Sequence, residues 1–283
     1  MTLASLPSVW PSYARALVSR RPALAPAGRA IAAELRAGGL VAPAAGLAAY
    51  RRVCGFAEDG QLPLTYPHVL ANPLHLALLT GPECPVRLFG LVHLRNTVRS
   101  LRPLAEGEPI DLCCTLGGPR ETERGQELDL VTEVRAGGAL AWTETSVVLA
   151  RRSGAGRAGK APVPAAVPEE GVALRWLVPA GQGRRYAAAS GDWNPIHLAA
   201  LGARLFGFER AIVHGMWTLG RVAAELRPRV PASGVELEAA FKLPVYLPAA
   251  VTLRLRPAPG GLAFAVRDGD GVKPHLTGTI TAT

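Results

Sequence analysis

The sequence predicts an α+β protein made of two tandem domains, each combining antiparallel strands with helices. Runs rich in Val, Leu and Thr alternate with Gly, Pro and charged turns, which is typical of an antiparallel meander. A segment rich in Gly, Pro and Ala without periodicity, residues 151–170, interrupts these runs and indicates a linker. The chain has 283 residues, a length that suits two domains of ordinary size.

The predicted strands and helices fall into two similar sets. In the first half, strands are expected over 88–98, 109–117, 127–136 and 140–150. In the second half, a strand at 172–179 and a helix over 181–190 precede a helix at 214–226 and strands at 235–248, 250–258, 262–268 and 276–283. In the helix of residues 214–226, the apolar side chains at helical spacing should pack on the sheet; they are Met216, Leu219, Val222 and Ala223.

An internal repeat favours a duplicated domain. Residues 50–56 (YRRVCGF) align with residues 186–192 (YAAASGD), so that a tyrosine, the small residue before a glycine and the glycine itself correspond. Phe56 stands in the place of Asp192, and the first copy lacks the segment that carries His197 in the second. We therefore expect a first copy that has lost an acid–base pair.

The N-terminal segment has several arginines and no acidic residue before Glu34. This composition loosely resembles a mitochondrial transit peptide, but we favour a leader helix over residues 11–21 that packs on the protein through its apolar side chains, Trp10, Tyr13 and Leu17. The predicted divisions of the chain are a leader (1–33), a degenerate first domain (34–150), the linker (151–170) and a catalytic second domain (171–283).

A turn in the second half places an acid and a base close together. Asp192 and His197 are separated by Asn194-Pro195, and a proline disfavours helical geometry at the residue before it. The preceding helix should therefore end at Gly191, leaving Asp192 and His197 on opposite sides of a rigid turn. Such a pair can hold a water or a substrate hydroxyl between a general acid and a general base.

A second helix should begin at His214-Gly215-Met216, where a glycine N–H at a helix start is available to an oxyanion. The whole stretch resembles the hydratase-2 motif of the MaoC-like, (R)-specific enoyl-CoA hydratase and 3-hydroxyacyl-thioester dehydratase family. The matching residues are Tyr186, Ser190, Gly191, Asp192, Asn194, Pro195, Ile196, His197, Ala203, Gly207, Phe208, His214, Gly215 and Met216. The resemblance implies a double hot-dog fold, in which each domain wraps a curved antiparallel sheet around a long helix.

The same resemblance implies reversible hydration of trans-2-enoyl thioesters to (R)-3-hydroxyacyl thioesters in fatty-acid metabolism. Asp192 and His197 would hold the water, with His197 taking its proton and Asp192 delivering a proton to C2. The N–H of Gly215 would stabilise the enolate-like thioester oxygen, and Asn194 would orient His197 or the water. Further residues expected to bind the substrate are Ser190, which also supports the turn, His214, Lys242, Arg184 and Arg185.

Four alternatives to this site remain open. Asp192 and His197 could be structural, or together with His214 they could bind a metal, although a fourth ligand and the usual close spacing are lacking. A thioesterase would need a carboxylate on the central helix, where the sequence offers only Glu225. A non-catalytic subunit that binds an acyl carrier suits the first copy alone, but the intact motif in the second copy argues against it for the whole chain.

A rival alignment sets Asn72-Pro73-Leu74-His75 against Asn194-Pro195-Ile196-His197. It would make His75 a second catalytic histidine, yet Leu70 then occupies the place of the acid. We favour a central helix of the first copy that starts near Pro73 and carries His75 on one face. His68 and His93 are expected to be structural or interfacial.

The formal charge of +9 arises from 31 basic and 22 acidic residues. Zinc-finger spacing, RNP-like strings and aromatic-rich basic patches are absent from the sequence, so a nucleic-acid partner is not expected. The excess of positive charge fits either a merely basic surface or binding of the phosphates of coenzyme A or of a carrier-protein phosphopantetheine. Either carrier belongs to the substrate rather than to a separate cofactor. We expect neither a metal nor a membrane span, and the four cysteines favour a reduced, cytoplasmic protein. The two domains should form a pseudo-dimer within one chain, and a further homodimer stays open.

Overall fold

The structure, a computed structural model, describes residues 1–3, 5–152 and 171–283. Nearly all of the predicted linker, residues 153–170, lies outside the described residues. The elements of the first half are β1 (Thr2–Leu3), α1 (Trp10–Leu17), β2 (Ile31–Leu40), α2 (Ala44–Cys54), α3 (Tyr66–Thr80), β3 (Leu91–Ser100), β4 (Ile110–Thr122), β5 (Gly125–Ala136) and β6 (Ala139–Arg151). The predicted division between residues 33 and 34 falls inside β2, because the strand starts at Ile31.

The second half repeats this pattern and adds a segment between its helices. Its elements are β7 (Val172–Val178), α4 (Gln182–Ser190), a 3-10 turn (Pro195–His197), α5 (Ala200–Leu205), α6 (Gly215–Leu226), a second 3-10 turn (Arg227–Arg229), β8 (Val235–Phe241), β9 (Ala249–Ala258), β10 (Gly261–Asp268) and β11 (Pro274–Ala282). The predicted helix end at Gly191 and the predicted helix start at Gly215 are both confirmed.

All the described strands belong to a single sheet, in the order β1-β2-β4-β5-β6-β3-β8-β11-β10-β9-β7. The two halves meet where β3 pairs antiparallel with β8, from Arg95 opposite Ala240 to Ser100 opposite Val235. From this junction the strand order of one half mirrors that of the other. The α+β prediction is therefore confirmed, with the two sheets continuous across the junction.

Each half covers its sheet with one long helix. Helix α3 packs against β2, β4 and β5, and α6 packs against β11. The α6 side chains predicted to face the sheet are buried as expected; they are Met216, Leu219, Val222 and Ala223. Together these helices and strands form the double hot-dog fold that the motif implies.

Helices α2 and α4 also correspond, and they pack against each other between the halves. Each ends at a left-handed glycine, Gly55 with φ of 83° and Gly191 with φ of 74°, a conformation that favours glycine. The rings of Tyr50 and Tyr186, aligned in the sequence repeat, lie 6.1 Å apart at this contact.

The central helix of the first half starts earlier than the sequence predicted. Helix α3 begins at Tyr66, with Pro67 in its first turn, and Pro73 lies inside it rather than near its start. A proline in the first turn loses no intrahelical hydrogen bond, whereas Pro73 cannot donate one to the carbonyl of Val69. Burial of most of α3 in the core outweighs that loss.

The leader helix exists but is shorter than predicted, since α1 ends at Leu17 rather than at residue 21. Of its three predicted contact residues, Tyr13 is buried, while Trp10 is 60% and Leu17 is 69% exposed. Tyr13 packs with Ala16 of its own helix and with Leu76 of α3. Among the described residues, the structure contains no helix that is both long and apolar enough to span a membrane.

Candidate active site

The turn after α4 positions the predicted acid and base. The carbonyl of Asn194 accepts a hydrogen bond from the N–H of His197 at 3.0 Å, and its side-chain oxygen accepts one from the N–H of Ile196 at 3.4 Å. Asn194 therefore caps the 3-10 turn on which His197 lies. These contacts fix the loop. The expected role of Asn194 in orienting His197 or the water stays a prediction.

The His197 imidazole is buried, and among the described residues only one of its two nitrogens has a hydrogen-bond partner. Its Nδ1 lies 2.8 Å from the carbonyl oxygen of Ile212, so Nδ1 carries the proton and donates it to that carbonyl. Nε2 then keeps its lone pair, which a general base requires. Burial lowers the pKa of His197 below its usual value, although the charge of Asp192 opposes the shift. His197 is therefore neutral at neutral pH.

The Asp192 carboxylate is held by hydrogen bonds on one oxygen. Its Oδ1 accepts from the hydroxyl of Tyr13 at 3.0 Å and from the N–H of Asn194 at 3.1 Å. Its Oδ2 lies 3.7 Å from Nε2 of His214, and 37% of the side chain is exposed. Desolvation raises the pKa of Asp192, but His214, His197 and these hydrogen bonds outweigh it, so the net shift is below the usual value.

His214 precedes α6 and contacts both residues of the predicted acid–base pair. Its Nε2–H donates to the backbone carbonyl of Asp192 at 3.0 Å, and its ring stacks on that of His197 at 3.7 Å between centroids. Burial, aided by the neighbouring His197, lowers the pKa of His214 to about 3, so this ring is also neutral. Its Nδ1 is buried without a hydrogen-bond partner among the described residues. The role predicted for His214 in substrate binding stays a prediction.

Gly215 is the first residue of α6, where helix geometry leaves its N–H without an intrahelical acceptor. A Cβ built at this position would lie 2.8 Å from the ring of Phe241, so the ring and the backbone approach each other too closely for any other residue without a shift. The glycine therefore allows β8 to meet the start of α6 beside Asp192 and His197.

The other residues predicted to bind substrate lie around this turn. Ser190 Oγ donates to the carbonyl of Tyr186 at 2.8 Å and accepts from the N–H of Asp192 at 3.2 Å. Both contacts support the turn; binding of substrate by Ser190 stays a prediction.

The basic residues proposed for phosphates are exposed on α4 and just after β8. Arg184 Nη1 donates to the carbonyl of Leu198 at 2.9 Å, which places the guanidinium beside the loop that carries His197. Lys242 directly follows Phe241, the residue in contact with Gly215. Arg185 is exposed next to Arg184.

The sequence did not predict two contacts that the first half of the chain makes with the site. Tyr13 donates to Asp192 and also accepts the N–H of Trp193 at 2.8 Å. Asn72 Nδ2 donates to the carbonyl of Ser190 at 3.3 Å. Nothing local in the sequence indicates either contact, since Tyr13 and Asp192 are 179 residues apart.

The first half has its own buried polar cluster between α3 and the sheet. His75 is buried and its Nε2 lies 2.7 Å from Thr132 Oγ1. His68, which the sequence gave no visible partner, lies 2.9 Å from the buried carboxylate of Glu144. Glu144 also accepts a hydrogen bond from Asn96 at 2.6 Å. A structural role for His68 and His75 fits these contacts, but it stays a prediction.

Asp192, His197 and His214 could also supply metal ligands by residue type, since their ligand atoms lie within 4.8 Å of one another. However, Nδ1 of His197 and Nε2 of His214 are engaged with backbone carbonyls. The expectation that no metal is required stays a prediction.

Known proteins resemble this chain in sequence. Residues 164–261 match the family described as MaoC like domain. The 3-hydroxyacyl-thioester dehydratase X of Mycobacterium tuberculosis is 37% identical over 245 residues, covering 83% of this chain and 84% of that protein. The (R)-specific enoyl-CoA hydratase of Aeromonas caviae is 39% identical over 70 residues, which are 24% of this chain and 52% of that protein.

A solved structure supports the same relationship. The crystal structure of HtdX of Mycobacterium tuberculosis superimposes with a TM-score of 0.76 at 33% identity, covering 90% of this chain and all (100%) of that chain. Similarity of this extent, over both halves of the protein, includes the motif and the fold that positions it. The chain therefore belongs to the MaoC-like dehydratase family.

Proposed function

We propose that the protein catalyses the reversible hydration of trans-2-enoyl thioesters to (R)-3-hydroxyacyl thioesters in fatty-acid metabolism. The observation that carries this proposal is the pairing of a neutral His197, whose Nε2 is free, with an ionised Asp192 beside the start of α6. The names of the two curated relatives, a 3-hydroxyacyl-thioester dehydratase and an (R)-specific enoyl-CoA hydratase, support it. The enzyme is accordingly a hydro-lyase.

In the hydration direction, His197 acts first as a base and then as an acid. An O–H bond of the bound water breaks as its proton passes to Nε2 of His197, while the oxygen forms a bond to C3 of the substrate. The π electrons of the double bond move towards the thioester carbonyl. The imidazolium then returns the proton to C2, which regenerates neutral His197.

This sequence of steps replaces the expectation that Asp192 delivers the proton to C2. The pKa of Asp192 is below its usual value, so its carboxylate is ionised at neutral pH and has no proton to donate. Asp192 instead accepts a hydrogen bond from the second hydrogen of the water and stabilises the imidazolium that forms on His197.

The N–H of Gly215 stabilises the negative charge that develops on the thioester oxygen. It is a free donor at the positive end of the α6 dipole, and its position is fixed before the reaction starts. Loss of a comparable donor typically raises the barrier by about 3 kcal/mol. In this proposal the loop carries out the proton transfer, and the start of α6 binds the oxyanion.

The carrier end of the substrate is part of the same proposal. Arg184, Arg185 and Lys242 are exposed, Arg184 beside the loop that carries His197, and we assign them to the phosphates of coenzyme A or of a carrier-protein phosphopantetheine. The four cysteines are free, which fits the cytoplasmic location proposed here; they are Cys54, Cys84, Cys113 and Cys114. No separate cofactor or metal is needed for the steps above.

We also propose that the two halves form a pseudo-dimer in which the first half supports the site without performing chemistry. The continuous sheet across β3 and β8 and the contact from Asn72 to Ser190 support this division of roles. A thioesterase activity is less well supported, because Glu225, the only acidic residue of α6, forms an ion pair with Arg221 at 2.6 Å.

Incubation of the purified protein with crotonyl-CoA tests this proposal. We expect the enoyl absorbance to fall without release of free thiol, and chiral analysis to identify the (R)-3-hydroxy product. Release of thiol would indicate a thioesterase, and an unchanged substrate across enoyl chain lengths would favour a non-catalytic subunit. Asp192→Asn is the matched control, since it keeps the size of the side chain and should abolish the absorbance change.

A further inference from the structure

Tyr13 of the N-terminal helix contacts the carboxylate of Asp192 directly. Its hydroxyl donates to Oδ1 of Asp192 at 3.0 Å and accepts the N–H of Trp193 at 2.8 Å. Building on the function proposed above, we propose that Tyr13 is a positioning residue that orients the Asp192 carboxylate for catalysis. The N-terminal helix α1 is then a functional part of the active site.

The orientation follows from how the two carboxylate oxygens are used. Oδ1 receives two donors, the Tyr13 hydroxyl and the Asn194 N–H, which satisfy it within the protein. Oδ2 lies on the side of His214, whose ring is stacked on that of His197. Because Tyr13 holds Oδ1, the carboxylate cannot rotate freely, and Oδ2 remains directed towards the space where the water must bind.

The environment of Tyr13 keeps its hydroxyl a donor. Burial, together with the negative charge of Asp192, raises the pKa of Tyr13 well above its usual value, so the hydroxyl stays protonated. Since the same oxygen accepts the N–H of Trp193, the hydrogen can point only towards the carboxylate. A phenylalanine would fill the same volume, but it would leave both Asp192 and Trp193 short of a partner.

Packing fixes α1 against the catalytic loop on two sides. The ring of Trp10 stacks on that of Trp193 with 5.8 Å between centroids, and Tyr13 lies with Ala16 against Leu76 of α3 and against Phe89. The tyrosine hydroxyl is therefore held by a helix that is itself anchored to the first half. This explains how a residue so far from the motif in sequence can set the geometry of Asp192.

Tyr13→Phe tests this role because it removes only the hydroxyl. We expect kcat for crotonyl-CoA hydration to fall by about 10- to 100-fold with KM changed less than about threefold, as expected for loss of a hydrogen bond to a charged group. The control is Ser12→Ala on the same helix, which removes a buried hydroxyl bonded to Arg15 rather than to the active site. It should retain the wild-type kcat.

The pH profile separates positioning from a structural effect. The Tyr13 hydroxyl stabilises the unprotonated carboxylate, so its loss should move the acid limb of kcat/KM, which belongs to the coupled Asp192–His197 pair, to higher pH. Incorporation of a fluorinated tyrosine at position 13 keeps the hydroxyl and makes it a stronger donor. This substitution should move the same limb to lower pH, and it remains informative if Tyr13→Phe folds poorly.

The outcomes distinguish this inference from the proposed function. An active wild type combined with an unchanged acid limb in both Tyr13 variants would overturn the role of Tyr13 and leave the hydration activity standing. Equal losses in Tyr13→Phe and Ser12→Ala would overturn it as well, since both would then reflect the stability of α1. A wild type inactive on enoyl thioesters would overturn the proposed function and the inference with it.

Discussion

Gly215→Ala should block oxyanion stabilisation while leaving the acid–base pair in place. The added Cβ would lie 2.8 and 2.9 Å from two ring carbons of Phe241, whereas carbon atoms in contact are usually about 3.5 Å apart or more. The start of α6 and the ring must therefore separate by about 0.7 Å. A displacement of this size moves the Gly215 N–H away from the thioester oxygen, so we expect kcat to fall by about 100-fold or more.

The assay is steady-state hydration of crotonyl-CoA, with the melting temperature measured alongside. Overpacking of this kind costs about 1–3 kcal/mol of folding free energy, so the variant should remain folded at assay temperature. The double variant Gly215→Ala/Phe241→Leu removes the clashing ring atoms and should recover much of the lost kcat, while Phe241→Leu alone serves as its reference. A wild-type kcat in Gly215→Ala, or no recovery of kcat in the double variant, would refute the proposal that this N–H stabilises the oxyanion.

Three further outcomes follow from the structure. Lys242→Ala and Arg184→Ala should each raise KM for coenzyme A thioesters by several-fold at unchanged kcat. The reason is that phosphate contacts are equally strong in the ground state and the transition state. A fall in kcat alone would show that these two residues do not bind the phosphates. The rate of hydration should stay constant as the pH falls from neutral to below 6.5, the ordinary pKa of histidine, because burial lowers the pKa of His197. Below that range the rate should decline as the Asp192–His197 pair takes up a proton. A decline that begins above pH 6.5 would contradict this expectation. Glu144→Gln should destabilise the fold by about 2 kcal/mol, since its amide would face the donors His68 and Asn96, whereas the exposed Glu133→Gln should have little effect on the melting temperature.

Much of the site could be predicted because its chemistry lies in one short stretch. Asp192, Asn194 and His197 are fixed by a turn whose shape follows from Pro195 and Gly191, and the start of α6 follows from the apolar periodicity after Gly215. Local geometry of this kind depends mainly on residues that are neighbours in the sequence. Most strands of both halves were predictable for the same reason, as alternating runs between turn residues, whereas β1 and β2 were not predicted.

The parts that could not be predicted depend on contacts between distant segments. The Tyr13 hydroxyl reaches Asp192 only because α1 packs on α3, and a lone tyrosine in an N-terminal segment has no local feature that reveals its partner. The pairing of His68 with Glu144 likewise joins a helix to a strand 76 residues away. The start of α3 was misjudged because burial of the helix outweighs the local effect of Pro73.

The sequence could not show which residue of the pair delivers the proton to C2. Residue types permit either group of the pair to be the acid, and only the surroundings decide which one holds a proton. In the structure, the donors on Oδ1 and the neighbouring imidazoles favour the ionised carboxylate, while the Ile212 carbonyl fixes the tautomer of His197. These contacts make His197 the group that carries the proton in our mechanism.

The central claim is that one acid–base pair, in the second half, carries all of the chemistry. Its most direct test compares kcat for crotonyl-CoA hydration in His197→Gln and His75→Gln, after both are shown to melt at the wild-type temperature. His197 has a free Nε2 at the site, whereas Nε2 of His75 is bonded to Thr132 inside the first half. We predict that His197→Gln abolishes hydration and that His75→Gln nearly retains it. An equal loss in the folded His75→Gln variant would contradict the account and indicate a second catalytic histidine.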